Sequence, residues 1–165
     1  WKRQALQNYK HRGDIGTGGR YLAILIDTNI IISFLFPTDK SERAREILEM
    51  SNGPIITISI LEEAAYVGLS LIYGCHGFKL RDQLKMKLKE TARVFLERLK
   101  SFLVEFRIKL LSMPEDPDLL LKAVEAYRLL PNDAAIVAAC QYYGIEKIAT
   151  FDSDFNRVAS LYVIR

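Results

Sequence analysis

Apolar and polar positions fall into blocks along this chain, and the blocks alternate between two kinds of period. Residues 22–26 form a continuous apolar run, as expected of a strand buried on both faces of a parallel sheet. Asp27, Thr28 and Asn29 interrupt it, and an apolar helix through about Phe36 follows. Pro37 and Asp39 make a turn; Ser41, with Glu42 just inside, opens a helix to Met50 that Asn52-Gly53 ends. Residues 55–58 predict a second strand, and a helix from Ser59 or Ile60 to about 71–74 carries Glu62 and Glu63. Leu80, Leu84, Leu88, Val94 or Phe95, Leu99 and Phe102 recur near helical spacing, which predicts one or two long amphipathic helices with basic outer faces. Residues 107–113 predict a third strand, closed by Pro114. Asp116 caps, and Pro117 starts, a helix to about Leu129. Pro131-Asn132 reads as a turn and cap, Asp133 opens an apolar helix through Tyr143, and Gly144 stops it in the left-handed position. Residues 145–150 and 161–164 predict a fourth and a fifth strand. Strands alternating with helices imply an α/β fold: three layers, α/β/α, around a central, mostly parallel sheet of four to five strands.

Composition narrows this to one domain with a sizeable core: 165 residues, half of them hydrophobic and 26% charged. The apolar runs are far too short to span a bilayer, and the basic, polar start of the chain lacks the apolar core of a secretory signal. A cytoplasmic protein without membrane contact is expected. The two cysteines, Cys75 and Cys140, form no CxxC pair, so neither a disulfide framework nor a zinc knuckle is expected. Residues 1–20 read as a basic, polar extension in which the glycine-rich 13–19 is a linker, because no strand precedes it and no Gly-Lys-Ser/Thr follows.

The candidate chemistry sits at the block boundaries. Asp27 follows the first strand, Glu63 the second, Asp133 opens a helix, and Asp152 follows the fourth strand, with Asp154 two residues later. A carboxylate at the carboxyl end of a parallel strand projects into the crevice where open α/β sheets bind ligands. Each acid taken alone is an ordinary helix cap or turn residue. Several in one crevice would repel each other and partly protonate unless a cation neutralised them. An oxygen-only donor set favours a hard ion, Mg²⁺ or Mn²⁺.

These motifs resemble those of the PIN-domain ribonucleases, in particular the toxin half of VapBC-type prokaryotic toxin–antitoxin pairs. The resemblance rests on an apolar run ending in Asp27-Thr28-Asn29, the Glu63 helix after a strand, the Pro131–Asp133–Ala134 helix start, and Thr150-Phe151-Asp152-Ser153-Asp154-Phe155 after the last apolar run but one. It covers residues 22 to 165 and implies a PIN-like domain over 21–165. It also implies an Mg²⁺- or Mn²⁺-dependent endoribonuclease, with Asp27, Glu63, Asp133 and Asp152 both catalytic and metal-ligating. Further implications are an RNA substrate, a small antitoxin protein as a partner and a homodimer. Glu62 is the alternative to Glu63, and Asp154 competes with, or joins, Asp152 as a ligand. Thr28, Asn29 and Thr150 are short polar residues placed to orient the acids.

Charge distribution fits a polyanionic substrate. The net charge is +3, yet residues 1–20 and 79–105 each carry +4. An acidic pocket flanked by basic segments suits a strand held by its phosphates, with Lys85, Lys87 and Lys89 as backbone contacts. Apolar residues 30–36 and 69–73 are expected to form the dimer face. No histidine lies near the motifs and no GxSxG or Cys/His arrangement is present, which disfavours histidine acid–base cleavage and acyl chemistry. The competing reading is a PIN-like module that binds RNA or protein without cutting.

Overall fold

The computed structural model describes residues 23–165. The extension at 1–20, its glycine-rich stretch and Leu22 lie outside the described residues. Among those described, five strands form one sheet in the order β3-β2-β1-β4-β5, every pair parallel. β1 is Ile24–Ile26, β2 Pro54–Thr57, β3 Lys109–Leu111, β4 Lys147–Ala149 and β5 Tyr162–Ile164. The helices are α1 (Thr28–Leu35), α2 (Ser41–Met50), α3 (Ile58–Tyr73), α4 (Gly77–Met86), α5 (Glu90–Glu105), α6 (Pro117–Tyr127) and α7 (Pro131–Tyr143).

Burial follows sheet position. The inner strands β1, β2 and β4 are nearly all buried and carry Leu25, Ile26, Ile56, Ile148 and Ala149 with no exposed surface, whereas edge strands β3 and β5 present Lys109, Leu110 and Tyr162 outward. The chain winds one way through β1, β2 and β3, then crosses to β4 and β5 in the opposite direction. Right-handed crossovers therefore put α1–α5 on one face and α6–α7 on the other. α1 packs on α2 and α3, α5 on α3, and α6 on α7. The reversal falls between β1 and β4, which is where such sheets open a crevice beyond their strand ends.

Most element boundaries fall close to the sequence expectation. α2, the Asp116 cap with Pro117, and Gly144 at φ 65° agree with it directly. Three details differ, and a fourth decides between one helix and two in the basic segment. α3 begins at Ile58, because Thr57 is the cap and its hydroxyl takes the Ile60 N–H at 3.4 Å. α7 begins at Pro131, capped by Leu130, which puts Asp133 inside the first turn. β3 keeps only three of the seven expected residues, the left-handed Arg107 (φ 50°) ending the turn that precedes it. The basic segment is broken: Lys87 and Lys89 both have extended backbone, and the Tyr73 hydroxyl pins the break by donating to Lys87 O (3.0 Å) and accepting from Lys89 N (2.9 Å).

The dimer face expected at residues 30–36 belongs instead to the monomer's core. Ile30, Ile31 and Leu35 are buried, Phe34 meets Phe106 edge-on at 5.2 Å, and Phe36 lies 5.4 Å from Phe95. In α3, Gly68 has no room for a side chain: a Cβ there would come within 2.0 Å of the Phe95 ring. That absence lets α5 seat against α3 and fixes the helix that carries Glu63.

Candidate active site

Four carboxylates reach one cleft at the β1/β4 reversal, each delivered by a different segment. The cleft is about 310 Å³ and is lined by Asp27, Thr28, Asn29, Ile32, Ser33, Glu63, Val67, Asp133 and Asp152. Asp27 leaves β1 and caps α1, Glu63 projects from the second turn of α3, Asp133 from the first turn of α7, and Asp152 from the segment after β4.

Asp27 is 5% exposed and every part of its carboxylate is bonded. Oδ1 accepts the Thr28 N–H at 2.6 Å; Oδ2 accepts the Asn29 amide at 2.7 Å and the Thr150 hydroxyl at 2.6 Å. Burial pushes its pKa up to about 6; the bonds from Thr150 and Thr28 oppose that shift, while Glu63 and Asp133 add to it. Thr150, fully buried, uses all its capacity: it donates to Asp27 and accepts from the Asn29 amide (2.9 Å) and the Asp152 N–H (2.9 Å). The Asn29 carbonyl oxygen takes the Phe151 N–H at 3.0 Å. The loops after β1 and β4 are thus tied into one frame, an arrangement in which short polar side chains orient the acids.

Glu63 is held from the other side by the Thr28 hydroxyl, which donates to Oε2 at 2.6 Å. Its neighbour Glu62 is exposed and does not line the cleft. Asp133 has no hydrogen-bond or ion-pair partner among the described residues, and its pKa is raised by burial first and then by Asp152, Glu63 and Asp154. Asp152 accepts the Asp154 N–H at 2.8 Å in a tight turn, while the Asp154 carboxylate points to Arg157 at 2.7 Å and stays off the cleft wall. Geometry therefore ranks Asp152 ahead of Asp154 and Glu63 ahead of Glu62.

Mutual repulsion among oxygen-only donors would be relieved by a hard cation. Among the described residues no three acidic, histidine or cysteine side chains converge closely enough to enclose an ion by themselves. Such a cleft fits Mg²⁺ or Mn²⁺, which retain several waters and use one or two carboxylates directly, better than Zn²⁺, whose sites are built mainly on the Cys and His side chains that this lining lacks.

Three lining residues escaped the sequence reading: Ile32, Ser33 and Val67. Helical spacing could have found them, since Ile32 and Ser33 follow Asn29 by three and four residues and Val67 follows Glu63 by four. The lysines lie elsewhere. Lys87 and Lys89 gather at the far end of α3, where Lys89 reaches Ile72 O (3.5 Å) and stands 4.4 Å over the Tyr73 ring. Ten residues of helix separate Tyr73 from Glu63, about 15 Å.

The chain belongs to the PIN domain family, which matches residues 24–161. A 39-residue stretch is 56% identical to the ribonuclease VapC6 of Methanocaldococcus jannaschii, covering 24% of this chain and 26% of that protein. The match thus spans about a quarter of that relative's length. The fold is similar to that of the Mycobacterium tuberculosis toxin VapC20, which cleaves the sarcin–ricin loop (TM-score 0.53, 15% identity, 82% of this chain and 95% of that one). It is also similar to a chain of a toxin–antitoxin complex from Klebsiella pneumoniae (TM-score 0.54, 19% identity, 86% and 96%). At those identities the two structures establish the shared fold.

Proposed function

We propose that this protein is a divalent-metal-dependent endoribonuclease, with Asp27, Glu63, Asp133 and Asp152 as the set that would hold Mg²⁺ or Mn²⁺, one or two of them directly and the rest through the waters the ion retains. The observation that carries the reading is the convergence of four carboxylates from four segments on one cleft at the sheet's reversal. The metal would supply activation of water and neutralise charge building on the phosphate. The protein's own part is to keep Asp27 fixed through Thr28, Asn29 and Thr150, to aim Glu63 through Thr28, and to leave Asp133 free to face an incoming ligand. Ile32 and Val67 give the cleft an apolar side against which the substrate sheds water.

RNA as substrate, and a toxin role with a small antitoxin partner, draw support from what VapC6, VapC20 and the Klebsiella complex are named for. Incubating RNA with the protein and Mg²⁺ or Mn²⁺ tests the activity. Cleavage that EDTA abolishes, leaving 5′-phosphate and 3′-hydroxyl ends, is expected; a 2′,3′-cyclic phosphate would show attack by the RNA's own hydroxyl and overturn the mechanism. The reading includes cytoplasmic localisation. No single helix among the described residues is long and apolar enough to cross a membrane.

A homodimer is part of the same reading, through a different face from residues 30–36. Leu71 on α3 and Phe78 and Met86 on α4 are 55%, 78% and 81% exposed, apolar positions that a second copy would cover. Sedimentation as a monomer at micromolar concentration would remove it.

A further inference from the structure

Basic side chains from outside the basic segment stand beside the loop that carries Asp152. Four basic side chains surround the loop after β4: Lys40, Arg43, Arg157 and Arg165. Arg43 is paired with Glu46 at 2.7 Å, and Arg157 with Asp154 at 2.7 Å. Neither Lys40 nor Arg165 has an ion-pair partner among the described residues, although both are fixed in place. The Lys40 ammonium stands 4.9 Å over the Phe151 ring, and its backbone N–H donates to the Thr38 hydroxyl (3.2 Å) in the turn that opens α2. Phe151 is in turn registered to the cleft, because its N–H is held by Asn29, whose amide holds Asp27. The Arg165 guanidinium donates to Asn156 Oδ1 (2.6 Å) and lies 3.4 Å from the carbonyl of Asp152. Arg43 bonds the Arg165 carbonyl, which ties the N-terminal turn of α2 to the end of β5.

We propose that Lys40 and Arg165, outside the cleft lining, form a phosphate-contacting pair beside the loop after β4 and set where an RNA strand enters past Asp152. The inference rests on the ribonuclease reading above and adds to it the side of approach and two positioning residues. A cation already held over an aromatic ring loses little freedom when a phosphate arrives. A cation beside the loop that carries Asp152 also adds positive potential to the path a polyanion takes toward the acidic cleft.

The test compares wild type with Lys40→Gln, Arg165→Gln and Lys40→Arg, using a short single-stranded RNA with Mg²⁺. Each glutamine variant should raise KM about three- to fivefold, the scale of one exposed charge contact, with kcat nearly unchanged. Each should also flatten the salt dependence of binding by about 0.7 in slope. Lys40→Arg should restore both, and thermal midpoints should stay at the wild-type value, which separates phosphate contact from support of the fold. If wild type cleaves and both glutamine variants match it in KM and salt slope, this inference falls and the ribonuclease reading stands. If wild type neither binds nor cleaves RNA with either metal, both fall.

Discussion

The hydroxyl of Thr150 donates to Asp27 across 2.6 Å and joins two loops that are 123 residues apart in sequence. Through the same oxygen Thr150 accepts from Asn29 and from the backbone of Asp152, so one buried atom sets the spacing between two of the four acids. Thr150→Val keeps the shape and removes all three bonds. Leaving a buried carboxylate, amide and N–H short of partners should cost about 1–3 kcal/mol. Calorimetry should show that loss, metal-dependent activity should fall with it, and Thr150→Ser should recover both. A valine variant with wild-type stability would show that the three bonds are replaceable.

Asp27 also makes stability depend on pH in an unusual direction for a carboxylate. Its pKa is raised from 3.8 to about 6 in the folded protein, so the native state binds its proton more tightly than the unfolded chain does. The resulting stability is full below pH 3.8 and is lost as pH rises through about 6, a change of roughly 3 kcal/mol at 1.36 kcal/mol per unit. Asp133, raised in the same direction, adds to the trend. Metal-free protein should therefore lose stability across about pH 4–6 relative to an Asp27→Asn variant, and Mg²⁺ should recover part of it by favouring the ionised acids. Denaturant midpoints measured with and without metal at several pH values read this out; a midpoint difference independent of pH would remove the perturbed carboxylate from the account.

Asp133 separates function from folding because its charge is opposed by its neighbours and no described group supports it. Asp133→Asn should relieve repulsion from Asp152, Glu63 and Asp154, leaving stability near neutral pH unchanged or slightly higher. Activity should fall by more than the ~10–100-fold typical of residues that only support a metal ligand. Single-turnover cleavage beside thermal melts decides the matter, and an active Asp133→Asn protein would exclude Asp133 from the chemistry.

Legibility in the sequence tracked local signals. The Asp116-Pro117 start of α6 and the Gly144 stop of α7 were readable because cap and left-handed geometry are written in one or two residues. The acids were readable because two follow strand ends, Asp27 and Asp152, and two lie in the first two turns of helices, Glu63 and Asp133. One helix or two stayed open over 79–105, since the apolar spacing runs through Lys87–Lys89 and the Tyr73 hydroxyl that pins the break comes from another helix. Residues 30–36 read as a dimer face because their apolar content alone does not say what covers them; the approach of Phe95, Phe102 and Phe106 from α5 and its C-terminal end puts them in the core. The Lys40–Phe151 pair likewise joins positions 111 residues apart and leaves no local trace.

The basic break at the far end of α3 yields the last prediction. Lys85, Lys87 and Lys89 are exposed and, among the described residues, have no carboxylate partner, so they remain available to phosphates. Lys87 and Lys89 meet Tyr73, about 15 Å along α3 from Glu63, and Lys85 lies in the last turn of α4 just before them; that is too far to touch the reacting phosphate but within reach of a strand that continues past the cleft. Replacing all three with alanine should weaken binding of long RNA at every sequence alike and lower the salt slope by roughly 0.7 for each phosphate no longer neutralised. Metal affinity should not change, because no ligand is touched. An RNA short enough to fill only the cleft should be cleaved at the wild-type rate, which distinguishes remote binding of the RNA backbone from a damaged site. If long RNA binds the triple variant as tightly as wild type at every salt concentration, these lysines are only a solvated surface, and the strand leaves the cleft in another direction.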